Sequence, residues 1–196
     1  MGPMPGSDET PENLTRLPDG TLTLADRWPG PGDTPAWACI VGGKTSPGAI
    51  ATGHFYAGPI GRRQLSRLAE AGLYTPQGAP FADLDLAAQG IGCLNLSREP
   101  RSHDDAETLA LMREGAPRAE REMARRKVEL VISMWRHGTR ELLGHEGRPG
   151  VQERDTAWGA VVFRMPSPYE RAVVAQAVMD DLSELLRELG RGPLSA

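Results

Sequence analysis

The sequence predicts one α/β domain, a three-layer sandwich around a central, mostly parallel, four-stranded sheet. Three observations carry that expectation. Four short apolar runs stand at residues 36–41 (AWACIV), 92–96 (GCLNL), 128–134 (VELVISM) and 160–165 (AVVFRM), which is how strands buried on both faces read. Segments of helical periodicity separate them, and such alternation implies a parallel sheet covered on both sides. The 196 residues suffice for one sizeable core and leave too little chain for two.

Residues 1–35 are rich in Pro, Gly, Asp and Thr and read as a flexible tail, with a short hairpin around Pro18-Asp19-Gly20. The first strand stops at Gly42-Gly43, and a loop rich in Gly and Pro runs on to Pro59. Ile60, Leu65, Leu68, Ala69 and Leu73 then recur at helical spacing, with Gly72 near the end. Asp104 is placed to cap the next helix, which carries Ala106, Leu109, Leu111 and Met112, and a separate polar helix follows Pro117. After Pro166-Ser167-Pro168 comes the longest amphipathic helix, with Val174, Val178, Leu182, Leu185 and Leu189 inward and Gly190 as its stop. The domain is therefore expected over residues 36–190, with a short tail at 191–196.

Composition narrows the function classes. With 39% hydrophobic and 24% charged residues the chain suits a soluble globular protein. No apolar run is long enough to span a bilayer, and the start lacks a basic and apolar leader. A cytoplasmic monomer is expected, nucleoid-associated in a prokaryote. Cys39 and Cys93 lie in strand-like runs and read as core thiols. His54, His103, His137 and His145 show no ligand spacing, so neither a metal nor a cofactor is expected. A net charge of −4 argues against a broad basic surface, although phosphate contacts depend on local charge. Arg62, Arg63 and Arg67 cluster locally. A second cluster, Arg118, Arg121, Arg125, Arg126 and Lys127, reads as a solvated helix face laced with Glu120, Glu122 and Glu129.

In parallel sheets, sites form in loops beyond the carboxyl ends of the strands. Residues 42–59, 95–103 and 166–171 meet that condition. Gly43-Lys44-Thr45 matches the end of a phosphate-binding loop, but Ala38 stands where its first Gly is needed. The chain also continues through Ser46-Pro47-Gly48 without an expected helix. In the stretch Gly53-His54-Phe55-Tyr56-Ala57-Gly58-Pro59, an aromatic pair lies between glycines. Such aromatics either pack beneath the loop or form a slot for a flat ring, where stacking contributes about 1–3 kcal/mol per base.

Two adjacent stretches, Gly42-Gly43-Lys44-Thr45-Ser46-Pro47-Gly48 and Thr52-Gly53-His54-Phe55-Tyr56-Ala57-Gly58-Pro59, together resemble a family motif. It is the first motif of the mismatch-specific uracil and thymine DNA glycosylases, GINPG followed by a GHHYPGP-like run. Gly90-Ile91-Gly92-Cys93-Leu94-Asn95-Leu96 is similar to that family's GIGFTNM-like strand. Met165-Pro166-Ser167-Pro168-Tyr169-Glu170-Arg171 is similar to its MPSSSAR-like loop. The resemblance implies hydrolysis of the N-glycosidic bond of a damaged or mismatched base (uracil, thymine or a deaminated purine) in DNA. It implies double-stranded DNA with a flipped base as the partner, with single-stranded DNA as a second form. Tyr56 would stack on the base, and Gly42, Gly43, Thr45, Ser46 and His54 would line its pocket. Asn95 would hydrogen-bond the base or sugar. Ser167 would meet a phosphate, with Arg62 and Tyr169 beside the DNA, and Arg171 would fill the gap left in the duplex.

Five positions depart from the pattern. The family's water-positioning Asn falls on Lys44, and the Pro and Gly after it on Thr45 and Ser46. The Asn after the Gly-Pro turn falls on Gly61, and a second Ser of the last motif on Tyr169. Lys44 has three readings: an ammonium that stabilises the departing base, an amine that attacks the sugar, or a surface lysine. A non-catalytic binder of distorted DNA is the alternative function, and a nucleotide-binding protein on the same fold is a third.

Overall fold

A computed structural model describes residues 13–191. Its central sheet has five strands in the order β4-β3-β5-β7-β6. They are β3 (Ala38–Thr45), β4 (Ile91–Pro100), β5 (Leu130–Ser133), β6 (Gly150–Val151) and β7 (Val161–Arg164). The first four in that order are parallel. β6 pairs antiparallel with β7 at the edge. It makes the sheet five-stranded where four strands were expected, because two residues are too few to leave a periodicity.

Side-chain alternation along β3 builds both cores. Ala38 and Ile40 face one cluster, with Leu65 and Leu68 of α2 (Pro59–Glu70), Leu86 of α3 (Ala82–Ala88), and Met179 and Leu182 of α6 (Ala172–Glu188). Cys39 and Val41 face the other, with Met112, Ala116, Ala119 and Met123 of α4 (Ala106–Arg125). The result is helices on both faces of one sheet. Cys39 and Cys93 are buried and free. Among the described residues, no helix is long and apolar enough to cross a membrane.

Four local expectations are corrected. Residues 13–35 are not a flexible tail: β1 (Leu14–Arg16) and β2 (Leu22–Leu24) form a hairpin turning through Pro18-Asp19-Gly20. Beyond it, Arg27 exchanges backbone hydrogen bonds with Cys93 (2.9 and 2.8 Å). The Trp28 ring lies so close to Gly92 that a Cβ there would sit 2.3 Å from it. This segment covers the outer edge of β4, whose backbone groups would otherwise be unpaired. Residues 1–12 and 192–196 of the two expected tails lie outside the described residues.

Next, α4 runs unbroken through Pro117. A proline inside a helix removes one hydrogen bond, but the buried stripe of Met112, Ala116, Ala119 and Met123 continues on both sides of it. Close packing anchors that stripe: a Cβ on Gly115 would stand 1.9 Å from the Leu96 carbonyl oxygen. The cap of α4 is Asp105, whose carboxylate accepts from Thr108 N at 2.8 Å, and not Asp104. Finally, the loop expected from Gly42 to Pro59 begins with four more strand residues, Gly42 to Thr45, and holds the short helix α1 (Pro47–Thr52), capped by Ser46. A helix does follow Lys44-Thr45, so Ala38 alone excludes the phosphate-binding loop.

Topology sets where a crevice is expected. The chain leaves β3 through α1, α2 and α3 on one face and returns as β4 on one side of it. It then crosses through α4 on the other face to β5, on the opposite side of β3. This is a switch point, where α/β sheets open a crevice at the carboxyl ends of their strands. Gly42, Gly43 and Lys44 lie at the carboxyl end of β3.

Candidate functional site

Two consecutive glycines let side chains close in on the end of β3 from both faces. A Cβ on Gly42 would lie 2.2 Å from Asn95 Oδ1 and 3.0 Å from the Tyr56 hydroxyl. A Cβ on Gly43 would lie 2.5 Å from Met112 Cε and 3.5 Å from the Trp135 ring. Gly42, Tyr56 and Asn95, read from three separate stretches of sequence, therefore meet at one point.

Tyr56 is held there at a cost. Its φ is +56°, the left-handed region that disfavours a bulky side chain; such strain costs about 1–3 kcal/mol and persists where the surroundings enforce it. Gly61 enforces it, since a Cβ there would be 2.5 Å from the Tyr56 carbonyl oxygen. The Tyr56 hydroxyl is buried and has no hydrogen-bond partner among the described residues. Burial, followed by the neighbouring Cys93 and Cys39, pushes its phenol well above the ordinary range. Phe55, by contrast, is a core residue, its ring 6.0 Å from that of Tyr56.

Asn95 donates from Nδ2 to Thr45 Oγ1 at 3.2 Å, and Thr45 Oγ1 lies 3.3 Å from Thr23 Oγ1. Thr23 also bonds the Arg98 carbonyl. On the backbone side, Arg118 donates to the Asn95 carbonyl at 2.5 Å while pairing with Asp26, which also holds Arg98. Arg118 and Arg126 thus depart from the solvated face expected of the second basic cluster. Arg126 is buried, its guanidinium 4.5 Å above the Trp28 ring. Thr45 is buried in the chain described, and Ser46 is exposed, its Oγ accepting from Ala49 N at 3.2 Å.

Lys44 forms an ion pair with Asp104, with only 12% of its side chain exposed. Arg62 and Arg63 are engaged elsewhere: Arg62 bonds the Ala57 carbonyl and Arg63 that of Pro168. His54 is committed to a different network. Its Nδ1 is 2.9 Å from Asp83 Oδ1, Asn13 Nδ2 is 3.3 Å from its Nε2, and its ring stacks on Phe81 at 3.7 Å. Asp83 also takes Arg27 Nε at 2.9 Å and the Phe55 amide at 3.2 Å. This fully buried carboxylate organises the loop that presents Tyr56, and sequence reasoning missed it among the alternating residues of α3.

The last motif is clamped by α2. Gln64 donates to the Pro166 carbonyl at 2.8 Å, Arg67 to that of Ser167 at 3.0 Å and Arg63 to that of Pro168 at 3.1 Å. Arg63 and Arg67 of the first basic cluster are therefore loop clamps. Ser167 Oγ accepts from Tyr169 N at 3.2 Å. Tyr169 is 76% exposed and Arg171, at the start of α6, is exposed with no ion-pair partner among the described residues. No family model and no curated protein matches this chain.

Beyond β5, α5 (Arg136–Leu143) places His137 edge-on to Trp135, ring centroids 5.2 Å apart. Burial first, then Arg140 and Arg136, hold its imidazole below the ordinary value, against the opposite pull of Glu146 and Asp104. The folded pKa is the lower one, so the unfolded chain binds the extra proton in acid and stability falls as pH drops below about 6.5. Urea midpoints should accordingly be lower at pH about 5.5 than at about 7.5, by less in His137→Gln. An equal pH dependence in both chains would assign the effect elsewhere.

Proposed function

We propose that this chain is a monofunctional DNA glycosylase that hydrolyses the N-glycosidic bond of a damaged or mismatched base. The observation that carries the reading is the meeting of Gly42, Tyr56 and Asn95 at the switch point. These residues come from two of the three motifs that carry the resemblance to the glycosylases. The third is fastened to α2, whose first residue is three positions after Tyr56. In the reaction water adds to C1′ of the sugar, the C1′–N bond breaks, the base leaves with the electron pair, and the proton released by the water passes through solvent to the departed base. Donors aimed at the departing base lower that barrier, and Lys44 is the cation nearest in sequence to the crevice. Its pairing with Asp104 supports the ammonium role over attack on the sugar.

Oligonucleotides carrying U, T, hypoxanthine, xanthine or ethenocytosine, treated with alkali after incubation, test the reading. Alkali-labile strands from one of them are the expected result, with no borohydride-trapped adduct. A trapped adduct that disappears in Lys44→Ala would establish the amine mechanism. The same ion pair favours a second reading, since a lysine held by a carboxylate replaces the water-positioning Asn. A non-catalytic binder would shift these oligonucleotides without making them alkali-labile.

Arg171 separates the two strands' requirements. Exposed at the N-cap of α6 and with no ion-pair partner among the described residues, it would enter the space a flipped base vacates, which only a duplex needs filled. Arg171→Ala should lower excision from duplex by about tenfold, the worth of one lost charge-assisted contact, and leave single-stranded substrate within twofold. Equal losses on both substrates would exclude the gap-filling role.

A further inference from the structure

We propose that the hydroxyl of Tyr56, and not its ring alone, recognises the ligand. It would hydrogen-bond the edge of a flat heterocycle seated against Gly42 and Asn95. This deepens the glycosylase reading and rests on it for the identity of the site.

A buried hydroxyl without a partner is unfavourable in the free protein, and such groups are rare unless something answers them. Phenylalanine would supply the same stacking face without that cost, and the adjacent Phe55 already provides the core aromatic. The strained backbone at Tyr56 and the absence of side chains at Gly42 and Gly61 fit this one residue closely from two directions. The surroundings thus hold the hydroxyl in a place where no described residue uses it.

Asn95 indicates what would use it. With Nδ2 donating to Thr45, its carboxamide oxygen is the atom turned toward Gly42. A hydroxyl that can donate and a carboxamide oxygen that accepts then flank Gly42 together. Their complement is a ring edge with an N–H beside a carbonyl. The N–H would donate to Asn95 Oδ1 and the carbonyl would accept from Tyr56. Methylating that ring nitrogen removes the donor and adds bulk where the Gly42 Cβ finds no room.

Tyr56→Phe removes one oxygen atom and tests the inference in the full-length chain. Two measurements are needed: the thermal midpoint of the free protein, and calorimetric binding of free uracil, hypoxanthine and 3-methyluracil. Relief of the unpartnered hydroxyl should raise the midpoint. Binding of uracil or hypoxanthine should weaken by about tenfold, the worth of one hydrogen bond made only in the complex. The wild-type chain should discriminate against 3-methyluracil by at least about tenfold on the same arithmetic. A lowered midpoint, binding unchanged within twofold, or no binding of either base by the wild-type chain would each overturn the proposal. Excision, followed in parallel, keeps the two readings apart. Base binding that depends on the hydroxyl without excision defeats the glycosylase reading alone. Excision unchanged by Tyr56→Phe defeats this inference alone.

Discussion

Gly42→Ala is expected to remove about 99% of the proposed excision activity, the hundredfold loss that follows when reacting groups shift by about 1 Å. The added Cβ would stand 2.2 Å from Asn95 Oδ1 and 3.0 Å from the Tyr56 hydroxyl. Neither has an easy retreat. Asn95 is anchored at its side chain by Thr45 and at its carbonyl by Arg118, and the Tyr56 backbone is pressed against Gly61. The methyl must displace them or fill the crevice itself. Overpacking of this kind destabilises by about 1–3 kcal/mol, so the chain still folds and the two effects separate. Gly43→Ala is the control. Its Cβ would press on Met112 Cε at 2.5 Å, the far end of a flexible side chain that can move. Single-turnover excision and urea unfolding of both variants decide the matter. Activity of Gly42→Ala within twofold of the parent would remove the crevice from consideration as the site.

Asp83→Ala is expected to give the largest loss of stability, about 3–5 kcal/mol, as when one partner of a buried ion pair is removed. The carboxylate is wholly buried and serves Arg27, His54 and the Phe55 amide together. Its removal leaves three polar groups facing a cavity, one from the segment after β2 and two from the loop just before Tyr56. Asp83→Asn, which keeps an acceptor oxygen, should lose less. Equilibrium urea unfolding followed by circular dichroism checks both. A loss below about 1 kcal/mol for the alanine variant would mean that water replaces the carboxylate there, as at an exposed pair. The consequence for the site is indirect, because Asp83 fixes the residues just before Tyr56.

How much of this was legible follows from how far each signal reaches along the chain. The four long strands showed in the runs around Ile40, Leu94, Val131 and Val162, because burial on both faces leaves continuous apolar residues. The hairpin at Pro18-Asp19-Gly20 showed because turn chemistry is local. β6 did not show, since its two residues pair only because β7 lies beside them. Pro117 pointed to a helix boundary, but packing of the stripe from Met112 to Met123 overrode it. Arg118 and Arg126 looked like surface charges until Asp26 and Trp28 met them.

The same division runs through the site. Gly42, Tyr56, Asn95 and Ser167 were singled out by the resemblance to the glycosylase motifs, which rests on short stretches around each of them. That Asp104 turns to Lys44 while Asp105 caps α4, and that His54 answers to Asp83, had no sequence signal. Those pairings join residues 60 and 29 positions apart. Periodicity and turn chemistry act over a few residues and so determine elements and their order. Which charged groups meet, and which hydroxyl is left alone beside a glycine, depends on elements becoming neighbours in three dimensions, and only the packed structure decides that.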